Sequence, residues 1–106
     1  MKEYILCAAI WYKEIHLKKV INGILPFNCD RGLVILGHRH GQCLWTMRSL
    51  TGLRSVTNTD DGVGEYIQGI ITNKNRFVDR EEAAIIAFDA QQINKETKTL
   101  YSEDLY

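Results

Sequence analysis

Apolar residues fall into two unbroken runs in the first half of the chain. The run from Tyr4 to Tyr12 is rich in aromatic and aliphatic residues, and its length predicts a central β-strand buried on both faces. The run Leu33–Gly37 predicts a second strand. Residues 13–32, between them, hold the single proline and several turn signals, which indicates a connection with room for a short edge strand within Ile15 to Ile24.

A helix is predicted after the second strand, over about residues 42–50. Leu44, Met47 and Leu50 recur there at helical spacing and form a candidate buried stripe. Gly52 follows at the position where helices commonly end in a left-handed residue. The pattern therefore predicts a strand that leads through a glycine-flanked turn into a helix.

The clearest pattern in the second half is a β-hairpin that leads into a helix, over Tyr66 to Ile93. Tyr66–Thr72 is rich in β-forming residues, and Arg76–Val78 is the predicted returning strand after a polar turn. Gly69 within the first strand indicates a bulge or a close backbone approach. Asp79 has the form of a helix cap, and the glutamate three residues later completes a capping box.

This helix is predicted to run to about Gln91 and to carry an apolar stripe that includes Ala83 and Ala87. The tail over residues 94–106 is polar until its last residues, where acidic side chains alternate with apolar ones. It is either a docking segment for another protein or a frayed terminus. Together the pattern predicts one α+β domain over residues 1–106, with a small antiparallel or mixed sheet of about four to five strands and two helices packed on it.

Composition narrows the possible functions. The 13 basic and 13 acidic residues give a net charge of zero, which argues against binding to long nucleic acids. Three cysteines without a CxxC pair do not form a disulfide framework or a zinc knuckle, so reduced thiols are expected. No signal peptide or transmembrane span is recognisable, so we expect a cytosolic protein with no membrane association.

The turn His38-Arg39-His40 is the first candidate site. Two histidines at positions i and i+2 of a strand share a face and suit a metal, but a third ligand is missing nearby. A strand end that turns into a helix also favours an anion, with Gly37 and Gly41 allowing close approach and Arg39 pairing with phosphate oxygens. An ordinary polar turn with hydrogen-bonded histidines explains the same pattern.

The segment Asn75-Arg76-Phe77, with Arg80 just beyond, is the second candidate site. Arg76 and Arg80 bracket the predicted helix start, where cations oppose the helix dipole unless an anion is bound. Phe77 stacks on a base or packs in the core. The alternative for Arg80 is an ion pair with one of the glutamates that follow it.

The loop over residues 57–64 is polar and glycine-rich, which predicts mobility. Asp60 and Asp61 within it are a candidate metal or acid–base pair, against the alternative of a solvated turn. The chain carries no GxSxG, HExxH, P-loop or GxGxxG motif, so the sequence predicts no catalytic residue, no metal and no cofactor.

Four segments resemble, in order along the chain, a set of short proteins encoded by bacteriophages. They are Gly37-His38-Arg39-His40, Gln68-Gly69-Ile70-Ile71-Thr72, the stretch from Asn75 to Ala87, and Ser102-Glu103-Asp104-Leu105-Tyr106. The phage set shares a G-x-R-H turn, a Q-G-F-x-T strand, an R-F-V-x-R-x-E-A helix start and an S-E-D-L ending. This set resembles the first family of Thoeris anti-defence proteins, phage "sponges" that sequester the cyclic ADP-ribose signal of bacterial TIR-domain immune enzymes.

The resemblance implies a non-enzymatic homo-oligomer, a dimer or a hexamer, that buries the signal in pockets between subunits. It implies arginines on the pyrophosphate, for which Arg39, Arg76 and Arg80 are the candidates, and an aromatic residue on adenine, which Phe77 matches. A second pocket type for cyclic di- or trinucleotides is also implied. The chain departs from the phage set at Ile70, where phenylalanine is common, and at Gln91-Gln92-Ile93, where G-Q-I is common.

Two other functions stay open at the level of sequence. One is a small phosphodiesterase or hydrolase that uses His38 and His40. The other is a protein-binding inhibitor that docks through Leu100 to Tyr106.

Overall fold

A computed structural model describes residues 2–15, 25–56 and 62–105 of the chain. Four strands form one sheet in the order β2-β1-β3-β4, and every pair of neighbours is antiparallel. In chain order the elements are β1 (Ile5–Tyr12), β2 (Leu33–Gly37), α1 (His40–Thr51), β3 (Tyr66–Thr72), β4 (Phe77–Val78), α2 (Arg80–Asp89) and a 3-10 turn (Ser102–Asp104). The predicted α+β fold with two helices and a small sheet is confirmed.

The first strand is central, as its apolar run predicts, because β2 and β3 flank it. Ala8, Ala9 and Ile10 are fully buried, so side chains on both faces of β1 are covered. Leu6 is the exception and is exposed, next to the point where the register between β1 and β3 shifts. The expected burial on both faces therefore holds only beyond this irregularity.

Both helices pack on the same face of the sheet. In α1, Cys43 and Met47 pack on the side of β1 that carries Ala8. In α2, the alanines pack with Ile70 of β3. Ala8 and Ile70 are direct partners across β1 and β3, and cross-strand partners point to the same face. The opposite face carries Phe77 among others and is covered in part by the segment around Cys29.

The two helices also begin at the same level of the sheet. Gly37, the last residue of β2, is opposite Ala8 of β1. Val78, the last residue of β4, is opposite Ile70, which in turn is opposite Ala8. The strands that lead into α1 and α2 therefore end in one row that crosses the sheet.

From this shared row the helices run in opposite directions. Met47, in the second half of α1, packs with Tyr12 at the far end of β1. Ala87, in the second half of α2, packs with Ile5 at the near end of β1. The N-termini of α1 and α2 therefore face each other, and the positive ends of both helix dipoles point at one place.

The first helix begins at His40, two residues earlier than predicted. The side chain of Gln42 accepts a hydrogen bond from the Arg39 backbone at 3.0 Å, so Arg39 takes the capping position. Leu50 is 68% exposed and does not belong to the buried stripe, which consists of His40, Cys43 and Met47. Gly52 ends the helix with a φ of 74°, in the left-handed conformation that its position predicts.

The start of the second helix follows the prediction in part. The Asp79 carboxylate accepts a hydrogen bond from the Glu82 backbone at 2.8 Å and caps α2. The Glu82 side chain does not complete a capping box, because its carboxylate binds Arg76 instead.

The end of the second helix lies at Asp89, two residues before the predicted Gln91. The Gln92 amide donates to the Ala87 carbonyl at 2.8 Å, and the Gln91 amide donates to the Phe88 carbonyl at 3.1 Å. This pair of bonds is the Schellman motif, which requires a left-handed residue at the Gln91 position. Gln91 has a φ of 61°, a conformation that glycine adopts without strain and glutamine does not.

The C-terminal tail is built into the domain. Leu100 is fully buried in the cluster that joins α2 to β1 and β3, and Ser102 is buried beside it. The Leu100 amide donates to the Arg80 carbonyl at 2.9 Å. Both predictions for the tail are therefore wrong as far as Leu100 is concerned, because this residue is neither frayed nor available to another protein.

Some predicted features lie outside the described residues. Most of the possible edge strand within Ile15 to Ile24 falls on residues 16–24, and most of the loop over 57–64 falls on residues 57–61, which include Asp60 and Asp61. Neither described helix has the length and hydropathy needed to cross a bilayer.

We predict that Gln91→Gly stabilises the protein by about 1 kcal/mol, because glycine relieves the left-handed strain at the end of α2. Urea unfolding measures the difference in free energy. Asn75→Gly is the matched control, since Asn75 has a φ of 58° but asparagine tolerates this conformation. An equal gain in both variants would show that strain specific to glutamine is not the cause.

Candidate functional site

The imidazole of His40 fixes the start of α1 to the middle of the sheet. His40 is 8% exposed, and its Nε2 lies 2.7 Å from the Gly69 carbonyl oxygen of β3. A carbonyl only accepts hydrogen bonds, so Nε2 carries the proton in this contact. Burial lowers the pKa of His40, and the nearby Arg80 charge lowers it further, so the ring is neutral at neutral pH.

The position of Gly69 explains why a glycine interrupts β3. A Cβ atom built there would lie 2.4 Å from the Val78 carbonyl oxygen and 2.6 Å from the Phe77 ring. Of the two explanations offered by the sequence, this contact supports the close backbone approach of β4 to β3.

The guanidinium of Arg80 holds the start of α2 to the same part of β3. It donates to the Gln68 side-chain oxygen at 2.7 Å and to the Leu100 carbonyl at 3.2 Å. Its central carbon lies 4.7 Å from the centre of the Tyr101 ring. All three partners are neutral. The alternative of an ion pair with a following glutamate is wrong, since Arg80 pairs with no carboxylate within the described part of the chain.

The first residues of both helices thus contact two adjacent residues of β3. We name this place the N-terminal junction, which consists of His40, Gln68, Gly69, Arg80 and Tyr101. It combines a half-buried guanidinium with the positive ends of two helix dipoles, and this arrangement favours a bound anion. Arg39, the capping residue of α1, adjoins the junction in the chain.

Arg76 lies elsewhere and is neutralised. Its guanidinium donates to both carboxylate oxygens of Glu3, at 2.9 and 2.8 Å, and to Glu82 at 2.9 Å. The hydrogen bond from Arg76 holds the pKa of Glu3 at about 2, well below its ordinary 4.5. The sequence suggested that Arg76 and Arg80 surround one anion. The structure does not bring the two side chains together in this way.

The remaining residues of the second candidate segment serve the fold. Phe77 is buried, and its ring meets the edge of Trp11 at 5.8 Å between centroids, which is the core packing that the sequence left as an alternative. Asn75 lies in the β3–β4 turn, where its carbonyl accepts a hydrogen bond from Phe27 at 2.8 Å. The Phe77 ring lies beside Gly69 of the N-terminal junction, but it does so as part of the core on the opposite face of the sheet.

The two histidines do not act as a pair. His38 is exposed in the turn after β2, whereas His40 is buried as the first residue of α1. The expected shared face fails because β2 ends at Gly37, before His38, and His40 is already the first residue of α1. Across the described ranges, no group of three or more His, Cys, Asp or Glu side chains could hold a metal ion.

Two side chains of the junction, those of Gln68 and Tyr101, were not site candidates from the sequence. Gln68 carried a signal, since it is the one amide side chain within β3 and belongs to the phage-like Q-G motif. Tyr101 carried almost no signal in the sequence, because its place beside Arg80 depends on how the tail packs on α2. Contacts of this second kind are set by the tertiary fold alone.

Comparison with known proteins places the chain in a family. A family model described as "Phage T4 y16D protein" matches residues 4–106. The chain therefore belongs to this family of small bacteriophage proteins. No curated protein and no solved structure matches the chain.

We predict that Glu3→Gln lowers the free energy of unfolding at neutral pH by roughly 1–2 kcal/mol, a value discounted for partial solvent exposure of the pair. Because the pKa of Glu3 is lowered in the fold, its contribution is complete above pH 4.5 and is lost as pH falls toward 2. Urea unfolding at neutral and acidic pH measures both effects.

The control for this measurement is Glu96→Gln, which removes an exposed carboxylate of the tail. The two variants should differ at neutral pH and converge in acid. An equal loss of stability in both at neutral pH would contradict a specific role for the Glu3–Arg76 pair.

Proposed function

We propose that this protein is a phage anti-defence sponge, which binds a cyclic nucleotide immune signal and holds it without cleaving it. The proposed ligand is an isomer of cyclic ADP-ribose, with cyclic di- or trinucleotides as further members of the class. The observation that carries the proposal is Arg80, a half-buried guanidinium with only neutral partners, placed between two facing helix N-termini.

Electrostatics supports an anionic ligand at the N-terminal junction. A cation at the first position of a helix opposes the dipole, and here a second helix adds its positive end. A phosphate group would offset the charge of Arg80 and the positive ends of both helix dipoles. It would also form charge-assisted hydrogen bonds with Arg80. Arg39 and His38, which adjoin the start of α1, remain candidates for further phosphate contacts, as do the α1 backbone amides. His40 is not a candidate, because its Nε2 proton is donated to Gly69 and Nδ1 of the neutral ring only accepts.

The aromatic residue of the junction supports a nucleotide over a bare phosphate. Tyr101 is 50% exposed and lies against the Arg80 guanidinium. An adenine base can stack on an exposed tyrosine ring, a contact worth roughly 1–3 kcal/mol. In this proposal Tyr101 takes the role that the resemblance assigned to Phe77, whose ring packs in the core.

The geometry of the histidines favours retention of the ligand over hydrolysis. Nε2 of His40 is occupied by the Gly69 carbonyl, and His38 lies apart from it on the surface. General acid–base catalysis needs a side chain within hydrogen-bond reach of the proton it moves. The alternative of a phosphodiesterase that uses both histidines has no such arrangement to support it. The alternative of an inhibitor that docks through the tail loses Leu100, which is buried.

Membership of a phage family supports the proposed setting, which is the cytosol of an infected bacterium. A viral protein that binds an immune signal there would act by stoichiometric removal of the ligand. Such a protein gains from high affinity and needs no turnover.

We predict that Arg80→Gln weakens binding of the signal at least about tenfold, since a charge-assisted contact contributes roughly 1.5–3 kcal/mol. Isothermal calorimetry with cyclic ADP-ribose isomers and cyclic dinucleotides measures the affinity. Arg76→Gln is the matched control, because Arg76 is already neutralised by Glu3 and Glu82. This control should lose stability and keep its affinity.

Two results would contradict the proposal. One is the absence of binding to every nucleotide of the class by the unaltered protein. The other is binding that depends on Arg76 and not on Arg80. Chromatography of the ligand released by heating separates the sponge from the hydrolase, since a sponge returns the intact cyclic nucleotide.

A further inference from the structure

Gln68 is a polar residue on the side of β3 that faces the helices. Its neighbours on that side are Tyr66 and Ile70, since residues two apart in a strand share a face. Tyr66 packs with the cluster under α1, and Ile70 packs with α2. Gln68 therefore lies between the two apolar clusters, where Arg80, the first residue of α2, reaches it.

The orientation of the Gln68 amide follows from its contact with Arg80. A guanidinium only donates hydrogen bonds, so the atom that lies 2.7 Å from Nη2 of Arg80 is the amide oxygen of Gln68. The Nε2 group, which carries two N–H donors, is then the other branch of the amide. Among the residues that the structure describes, none accepts a hydrogen bond from this Nε2 group. The half-buried side chain thus has its acceptor satisfied and its donors free.

Free donors between two apolar clusters call for an acceptor from outside the chain. A polar group that is withdrawn from water without a hydrogen bond costs free energy, so proteins rarely leave one there without a use. The neighbouring guanidinium also keeps N–H groups beyond the two that bind Gln68 and Leu100, because arginine carries five donors. Gln68 and Arg80 together therefore present donors and no free acceptor.

We propose that Gln68 is a specificity-determining residue of the N-terminal junction, which donates a hydrogen bond from Nε2 to the anion held by Arg80. This inference rests on the proposed function for the identity of the ligand, whereas its chemistry requires only an anion with several oxygen acceptors. The neutral amide performs two tasks at once, since its oxygen orients the guanidinium and its nitrogen contacts the ligand.

A carboxylate in place of the amide would perform only one of these tasks. It would orient the guanidinium equally well, because a carboxylate oxygen also accepts from Arg80. It would also neutralise Arg80 and turn a negatively charged acceptor toward the ligand. The choice between glutamine and glutamate at position 68 therefore decides whether the junction accepts an anion.

Gln68→Glu tests this inference directly, with inorganic pyrophosphate and cyclic ADP-ribose as the two probes. Calorimetry should show at least about thirtyfold weaker binding of each probe, because the ligand loses a hydrogen bond and meets a like charge. The free energy of unfolding, measured with urea, should not fall, since the new carboxylate pairs with Arg80. A merely structural role for Gln68 would instead lower stability and affinity together, and that result would contradict the inference.

Gln68→Met separates the two tasks of the amide. Methionine has a similar length but no donor and no charge, so Arg80 keeps its full charge in this variant. The affinity for both probes should fall about tenfold, to a value between those of the unaltered protein and Gln68→Glu. Gln91→Glu is the matched control, because it adds the same charge at an exposed position beyond the far end of α2. This control should bind both probes as the unaltered protein does.

Nuclear magnetic resonance of isotope-labelled protein reports the contact itself. The side-chain amide signals of Gln68 are identified by their absence in Gln68→Met, and they should shift when either probe saturates the protein. The inference is overturned if these signals do not move, if Gln68→Glu binds as tightly as the unaltered protein, or if Gln91→Glu loses as much affinity as Gln68→Glu.

The two probes separate this inference from the proposed function. Binding of cyclic ADP-ribose that does not depend on Gln68 overturns the inference and supports the proposed function. Binding of pyrophosphate that depends on Gln68, without binding of any cyclic nucleotide, supports the inference and overturns the proposed function. The absence of binding to either probe overturns the inference.

Discussion

The close approach of β4 to Gly69 is the contact on which the arrangement of both helices depends. With no Cβ at this position, the Val78 carbonyl can pass where a side chain would stand, and β4 ends directly beside the middle of β3. That ending sets the start of α2. The carbonyl of the same glycine receives the imidazole of His40 and so sets the start of α1. One residue without a side chain thus determines where two helices begin, and it is the reason that their N-termini share a site.

The two arginines around the cap of α2 lie four residues apart and have different kinds of partner. Arg76 meets two carboxylates, and the ion pairs neutralise it and tie the N-terminal segment to the hairpin. Arg80 meets an amide oxygen, a carbonyl and a ring, which orient the guanidinium without cancelling its charge. Neutral partners fix the position of a cation and leave its charge uncancelled, so an anion that binds later still experiences the full attraction. The difference in partners, more than the presence of two cations, is what makes Arg80 the stronger candidate for ligand contact.

Local signals in the sequence predicted the parts of the fold that local physics determines. The apolar runs predicted β1 and β2. The positions of Asp79 and Gly52 predicted the cap of α2 and the end of α1. Contacts between distant residues were beyond such signals. The partner of Arg76 is Glu3, 73 residues away, and no local pattern in the sequence around Arg76 indicates this pairing. The burial of Leu100 and the position of Tyr101 likewise depend on the packing of the tail, so the sequence found Arg80 but assigned it the wrong neighbours.

The tail has a consequence for how the molecule is made. Leu100 completes the cluster around Ile5, and the side-chain amide of Gln92 donates to the Ile5 carbonyl while its oxygen accepts from the Ile5 amide, across 87 positions of the chain. The beginning of β1 is therefore closed by residues that are synthesised long after it. Until Gln92 and Leu100 have been synthesised, this apolar strand lacks its final cover, and folding must wait for contacts of high sequence separation.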